Sequence, residues 1–191
     1  NTATNEYCKK QNTKNDPDNI CTHCYSWTML KTFRKNMAPA LQRNSDLLTS
    51  KILHSDALPI INQAFFRFNS HGELDLDKKK ATINLINYIN IAIKNPHCNF
   101  ALWTKRFDII KPYFDKNKKP KNFILIYSNP KINHIFKKPP KHFDRTFNNV
   151  YEDVEVDKQN CTGQKCKDCL LCYKLNTTNT IVEKVKSYGK K

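Results

Sequence analysis

No apolar run in this chain approaches the roughly 18 residues that a membrane-crossing helix requires, which excludes such a span. The first residues, Asn1 to Tyr7, lack a charged n-region and an apolar h-region, so no signal peptide is expected. A reducing bacterial cytoplasm is therefore the expected compartment. Acid is scarce, with 17 Asp and Glu against 33 Lys and Arg, leaving a formal net charge of +16. Glycine, alanine and arginine are also scarce beside lysine, asparagine and isoleucine, the bias that AT-rich coding produces. The positive excess thus has two readings, a compositional one and one in which nucleic acid or another polyanion is the partner. Its lysine runs, residues 78–80, 116–121 and 137–141, fall at a helix start and in proline-containing turns, where lysine is commonly solvated. At 191 residues the chain is also short for a closed eight-stranded α/β barrel, which typically takes about 250.

Cysteine is what the chain does have. Seven of the eight fall into two groups, Cys8, Cys21 and Cys24 near the start and Cys161, Cys166, Cys169 and Cys172 near the end. Cys98 stands alone and is expected to be a buried thiol. In a reducing compartment, clustered cysteines more often bind metal than pair as disulfides. Four thiolates close a tetrahedral ion or a cubane cluster, whereas three leave one corner free for a substrate. The C-terminal spacing, Cys-x4-Cys-x2-Cys-x2-Cys, places thiolates on successive turns around one centre, as ferredoxin-type loops do. Gly163 gives that backbone room, and Lys165 and Lys167 put positive charge beside an anionic centre. A [4Fe–4S] cluster is the favoured occupant, with structural zinc as the alternative. In the N-terminal set, Cys21 and Cys24 form a turn that can place both thiolates on one metal, with Cys8 as third ligand. His23 between them is a candidate fourth ligand of a Cys3His zinc site, although its side chain would tend to point away.

The rest of the chain alternates apolar strand-like runs with helical periodicity. Residues 1–26 are expected to form a loop held by metal, and 27–56 two helices interrupted by Pro39. Strands are expected at Phe65–Phe68, Phe100–Thr104 and Phe123–Ser128, the last a continuous apolar run of the buried parallel kind, and at Phe147 to Val156. Helices are expected from Asp75 or Asp77 to about Lys94, over Asp108–Phe114, and, after a turn at Asn129-Pro130, through Phe136. A further short strand or helix is expected around Ile181–Val185. This repetition implies an α/β fold, a partial (β/α) barrel or open curved, mostly parallel sheet over 1–156, with a C-terminal cysteine-rich metal-binding extension over 157–191.

The Cys21-Thr22-His23-Cys24 ending, preceded by Cys8, resembles the cluster loop of radical S-adenosylmethionine enzymes, with twelve residues where that family usually has three. Ser70-His71-Gly72-Glu73 at the end of a strand resembles that family's Gly-Gly-Glu motif, and Ser128-Asn129 ends a strand where its ribose contacts lie. Phe66 to Gly72, Phe100 to Lys105 and Cys166 to Tyr173 also resemble a short phage- and plasmid-encoded group that looks like a trimmed version of the fold. The resemblance implies that Cys8, Cys21 and Cys24 hold a [4Fe–4S] cluster whose open iron chelates S-adenosylmethionine. It implies further that His23 packs near the adenine, that Gly72 and Glu73 receive the amino group, and that Ser128 contacts the ribose. The C-terminal cysteines would then hold an auxiliary cluster, and a flavodoxin or ferredoxin would supply electrons. The alternative is a non-enzymatic accessory factor that binds nucleic acid or a host protein, with structural or redox-sensing clusters. Beside these motifs, Trp103-Thr104-Lys105-Arg106 can place an aromatic and two cations near the sheet's carboxyl edge; Trp103 is expected in the core, Lys105 is either such a cation or solvated, and Arg106 is left open. Arg67 inside an apolar strand calls for a partner or a ligand.

Overall fold

A computed structural model of the protein describes residues 1–151, 159–175 and 178–185. Five parallel strands lie in the order in which they are made, β1 (Phe65–Phe68), β2 (Asn99–Thr104), β3 (Phe123–Ile132), β4 (Arg145–Val150) and β5 (Thr180–Lys184). All four pairings are parallel, and the sheet curls into a half-barrel. The partial α/β barrel is therefore the architecture. β5, drawn from the expected C-terminal extension, is the last strand of the same sheet. Of the expected strand Phe147–Val156, the part up to Val150 lies in β4, and residues 152–158 lie outside the described residues.

Strand alternation sorts the side chains onto two faces. Phe66, Phe68, Phe100, Leu102, Phe123 and Leu125 pack with α4 (Lys78–Lys94) and α5 (Phe107–Phe114) in the larger core. Stacking of Phe68 on Tyr88 and Phe100, at ring separations of 4.1 and 5.2 Å, fixes α4 against β1 and β2. Ala101, Trp103, Ile124, Ile126 and Tyr173 form a smaller core on the opposite, inner face. Asp77 caps α4 by accepting from Lys80 N at 2.8 Å, and Asn95 closes it. Pro112 sits inside α5, as expected.

Three expectations are corrected. Residues 1–26 are not simply a loop, because α1 (Glu6–Asn12) carries Cys8, capped by Asn5, which accepts from Cys8 N at 3.2 Å. Pro39 does not interrupt a helix. It lies in the first turn of α3 (Ala38–Ser50), where its missing N–H has no cost, after α2 (Tyr25–Lys31) has ended. Nor does Asn129-Pro130 turn into a helix. β3 runs through it to Ile132 with an irregular register, and Ile20 N and Ile132 N bond across to Pro130 O and Asp18 O, at 2.8 and 2.7 Å. The irregularity leaves room for a proline inside the strand. Among the described residues, no helix is long and apolar enough to cross a membrane.

Candidate functional site

A cavity of about 360 Å³ opens at the carboxyl ends of the strands, where parallel sheets place their ligand sites. Cys8, Cys21 and Cys24 line it together with Cys161, Cys166 and Cys172. The half-barrel thus brings both thiol groups, far apart in sequence, around one space.

The N-terminal set is held by a network of short bonds. Asn5, the cap of α1, donates its side-chain amide to Glu73 O at 2.7 Å, tying that helix to the loop after β1. Asn12 Nδ2 donates to Cys21 O at 2.7 Å, and Cys21 N donates to Asn19 Oδ1 at 3.0 Å. Cys24 caps α2, so the turn from Cys21 runs straight into a helix. Glu73 is buried and accepts three bonds. Thr104 Oγ1 at 2.6 Å and Leu74 N at 2.8 Å reach Oε1, and Lys105 N at 2.9 Å reaches Oε2. Three of its roughly four acceptor positions are occupied, and the carboxylate clamps the end of β2 to the loop after β1. Gly72 has φ +80°, and a Cβ there would stand 2.6 Å from Ala3 O, so the glycine admits the N-terminal segment as well as shaping the turn.

Of the two readings left open for Lys105, the structure has the cation at the carboxyl edge: it points into the cavity, half-buried, with Nζ 3.1 Å from Ser128 Oγ. Burial works against its charge, but the ionised forms of Cys21, Glu73, Tyr7 and Cys24 outweigh that and hold the ammonium above its ordinary range. The thiols show the reverse balance. Burial, followed by the charge of Glu73, pushes Cys8 up to about 12, and burial also raises Cys21, with Lys105 opposing. At neutral pH these two thiols keep their protons unless a metal displaces them. Lys105 stands on the same side of the chain as Trp103, one step past the strand end. That parity was the sequence signal for its orientation.

His23 lies exposed at the rim, its Nε2 3.2 Å from Pro17 O and its ring edge-on to Tyr151, so it lines the cavity without joining the thiols. Ser128 is reached through Lys105. Asn129 is turned away, donating to Asn148 Oδ1 at 3.1 Å. Arg106 is settled by a two-point pairing with Asp108, both bonds at 2.8 Å, and lies over the Tyr7 ring. Cys98 is fully buried, as expected of a lone thiol.

The C-terminal set is more open. Cys161 is joined to β5 through a bridge to Glu183 and a bond from its N to Val182 O at 3.1 Å. Cys166 and Cys169 bound the single turn of α6 (Cys166–Cys169), Cys166 exposed and Cys169 near Gln164 Nε2 at 3.4 Å. Cys172 packs against the inner core, and burial pushes it up to about 12, against the pull of Arg67. Among the described residues, no group of three or more His, Cys, Asp or Glu converges as a metal-ion site. That holds for the N-terminal three as much as for the C-terminal four.

All eight cysteines are free thiols. Trp103 is both core and wall, as it is buried, lines the cavity and carries the guanidinium of Arg67 4.0 Å above its ring. Arg145, which sequence reasoning did not single out, is buried on the same face near Cys172. A family model described as Gene product 88 matches residues 2–186, and the chain belongs to that family. No curated protein and no solved structure matches the chain significantly.

Proposed function

We propose that this member of the Gene product 88 family is an iron–sulfur protein that works in the manner of radical S-adenosylmethionine enzymes. The observation that carries the reading is the seating of three thiols, with a half-buried cation among them, at the carboxyl end of a parallel half-barrel. The donor set suits the group. A single zinc ion would draw thiolates to about 3.8 Å from one another at a Zn–S bond of about 2.3 Å, whereas a cubane spreads them, one to each iron. Three thiols that line one cavity without converging on a single-ion site suit the second case better. When bound, such a cluster would supply the single electron that cleaves the sulfonium of the cofactor.

The chain's own residues do the rest. Cys8, Cys21 and Cys24 would hold the metal as thiolates, their protons passing to water, and Lys105 would offset the charge left on the sulfurs. Glu73 holds the strand ends in register and keeps one acceptor position on Oε2 for an ammonium. His23 lies at the rim with Tyr151 edge-on to its ring. The C-terminal thiols would take an auxiliary cluster, or zinc, once drawn together. Anaerobic reconstitution tests the reading: a brown protein with about eight irons, yielding 5′-deoxyadenosine with dithionite and S-adenosylmethionine, supports it. A colourless protein with stoichiometric zinc overturns it.

The positive excess supports a second reading, in which the outer surface binds a polyanion. Lys78–Lys80, Lys116, Lys118, Lys137 and Lys138 are all exposed. Binding to nucleic acid that weakens steeply with salt would support this reading, and the absence of binding at low salt would overturn it.

A further inference from the structure

Beside the thiols, the cavity contains polar groups without partners. Arg67 sits in the inner face of β1, stacked on Trp103, and makes no hydrogen bond or ion pair among the described residues, with Nε fully enclosed. Trp103 Nε1 and both ring nitrogens of His71 are likewise buried without partners. Trp103 and His71 are only 7% and 5% exposed, yet both line the cavity. Groups of this kind are normally satisfied, so a set of orphans converging on one space points to an absent ligand.

The sign of that ligand follows from the charges around it. Two acids line the cavity, and each is engaged, Glu73 by its three donors and Glu183 by Cys161 Sγ at 3.5 Å. Neither pairs with Arg67. Burial, then Arg34 and Arg67, lower the pKa of His71, so it is neutral at pH 7 and offers one donor and one acceptor. A guanidinium, an indole N–H and a neutral imidazole together suit an oxyanion. The flat walls of Tyr25, Trp27 and Phe147 suit a planar body behind it.

We propose that the cavity binds a planar organic oxyanion, a carboxylate or phosphate ester, with its charged end on Arg67, Trp103 and His71. Calling this ligand the substrate rests on the function proposed above, but calling the cavity its binding site does not. Arg67 reads the charge through its fork, with one face already covered by Trp103.

The test uses the full-length chain without added iron or cofactor, labelled with 15N at tryptophan. The chain has two tryptophans, so a Trp27→Phe variant assigns the Trp103 indole signal. Benzoate and phenyl phosphate should shift that signal saturably, and the uncharged benzamide should bind about tenfold more weakly or less, the scale of one charge-assisted hydrogen bond. The tighter of the two anions identifies the charged group. Arg67→Gln should abolish the preference for anions and Arg67→Lys should retain part of it, with thermal unfolding confirming that both remain folded. The measurement needs neither cluster nor cofactor, so failure of the radical reading does not register here. Equal binding of benzoate and benzamide overturns the proposal. So does an Arg67→Gln protein that keeps its preference for anions.

Discussion

The two thiol groups reverse their standing between sequence and structure. Tight spacing makes Cys161, Cys166, Cys169 and Cys172 the more specific signal on paper, while Cys8 is separated from Cys21 by a stretch that fixes nothing. In the fold, the N-terminal three are the organised set, anchored by Asn5, Asn12 and Asn19 and faced by Lys105. The C-terminal four sit on one helical turn and its flanks, with Cys166 exposed. Short spacing brings thiols near one another, but pre-organisation comes from bonds to distant residues. A set supported by the sheet can hold an open coordination corner in place. A set on a short turn depends on the metal to gather it.

The largest effect that can break this contrast is loss of metal. Cys21→Ala should remove the iron of the N-terminal set alone and eliminate deoxyadenosine formation, while Cys169→Ala should empty only the other set. Iron analysis of the two variants checks this, and a variant stripped of all metal or of none refutes two separate sites. Next comes Gly72→Ala, which puts a Cβ against Ala3 O at a backbone angle that disfavours it, and should cost about 1–3 kcal/mol in denaturant unfolding. Because Gly72 adjoins the N-terminal segment, iron occupancy of the first set should fall with it and that of the second should not.

A smaller effect is expected with pH. Burial raises Cys8 and Cys172 to about 12 from an ordinary 9.0, so the unfolded chain ionises both thiols before the folded chain does. Metal-free protein should keep its stability below about pH 9 and lose it progressively as pH climbs toward 12. Loading metal should flatten the profile, and a Cys8→Ser variant should show a shallower decline in thermal midpoint than the parent chain. The smallest effect belongs to Ser128→Ala, which removes one bond from Lys105 Nζ and should lower stability by about 0.5–1.5 kcal/mol without emptying either set.

Much of the sheet could be read from the chain because buried parallel strands are written as unbroken apolar runs, as at Phe123–Tyr127 and Phe100–Thr104. Arg67 stood out for the same reason, a charge in an apolar run. What could not be read depended on partners far away. The helix that carries Cys8 is short and polar, and its Asn5 cap is held by a carbonyl 68 residues further on. Pro130 lies within a strand because the Asp18–Ile20 segment bonds alongside it, which no local preference announces. The charge balance at Lys105 is set only once Glu73 and the thiols are placed around it. The inner face of the cavity shares this character. Trp103 alternates correctly for a core residue, and only the arrival of Arg67 above its ring makes it part of a site.

The tether from Asn5 to Glu73 also sets an order of assembly. A chain emerging from the ribosome presents Cys8, Cys21 and Cys24 long before Glu73, Lys105 or Ser128 has been synthesised. During that interval the three thiols have neither their counter-cation nor the carbonyl that positions the first helix. The seat of the first set is completed only when β2 and β3 have been made, so on the proposed reading a metal would be delivered after translation of at least the first three strands.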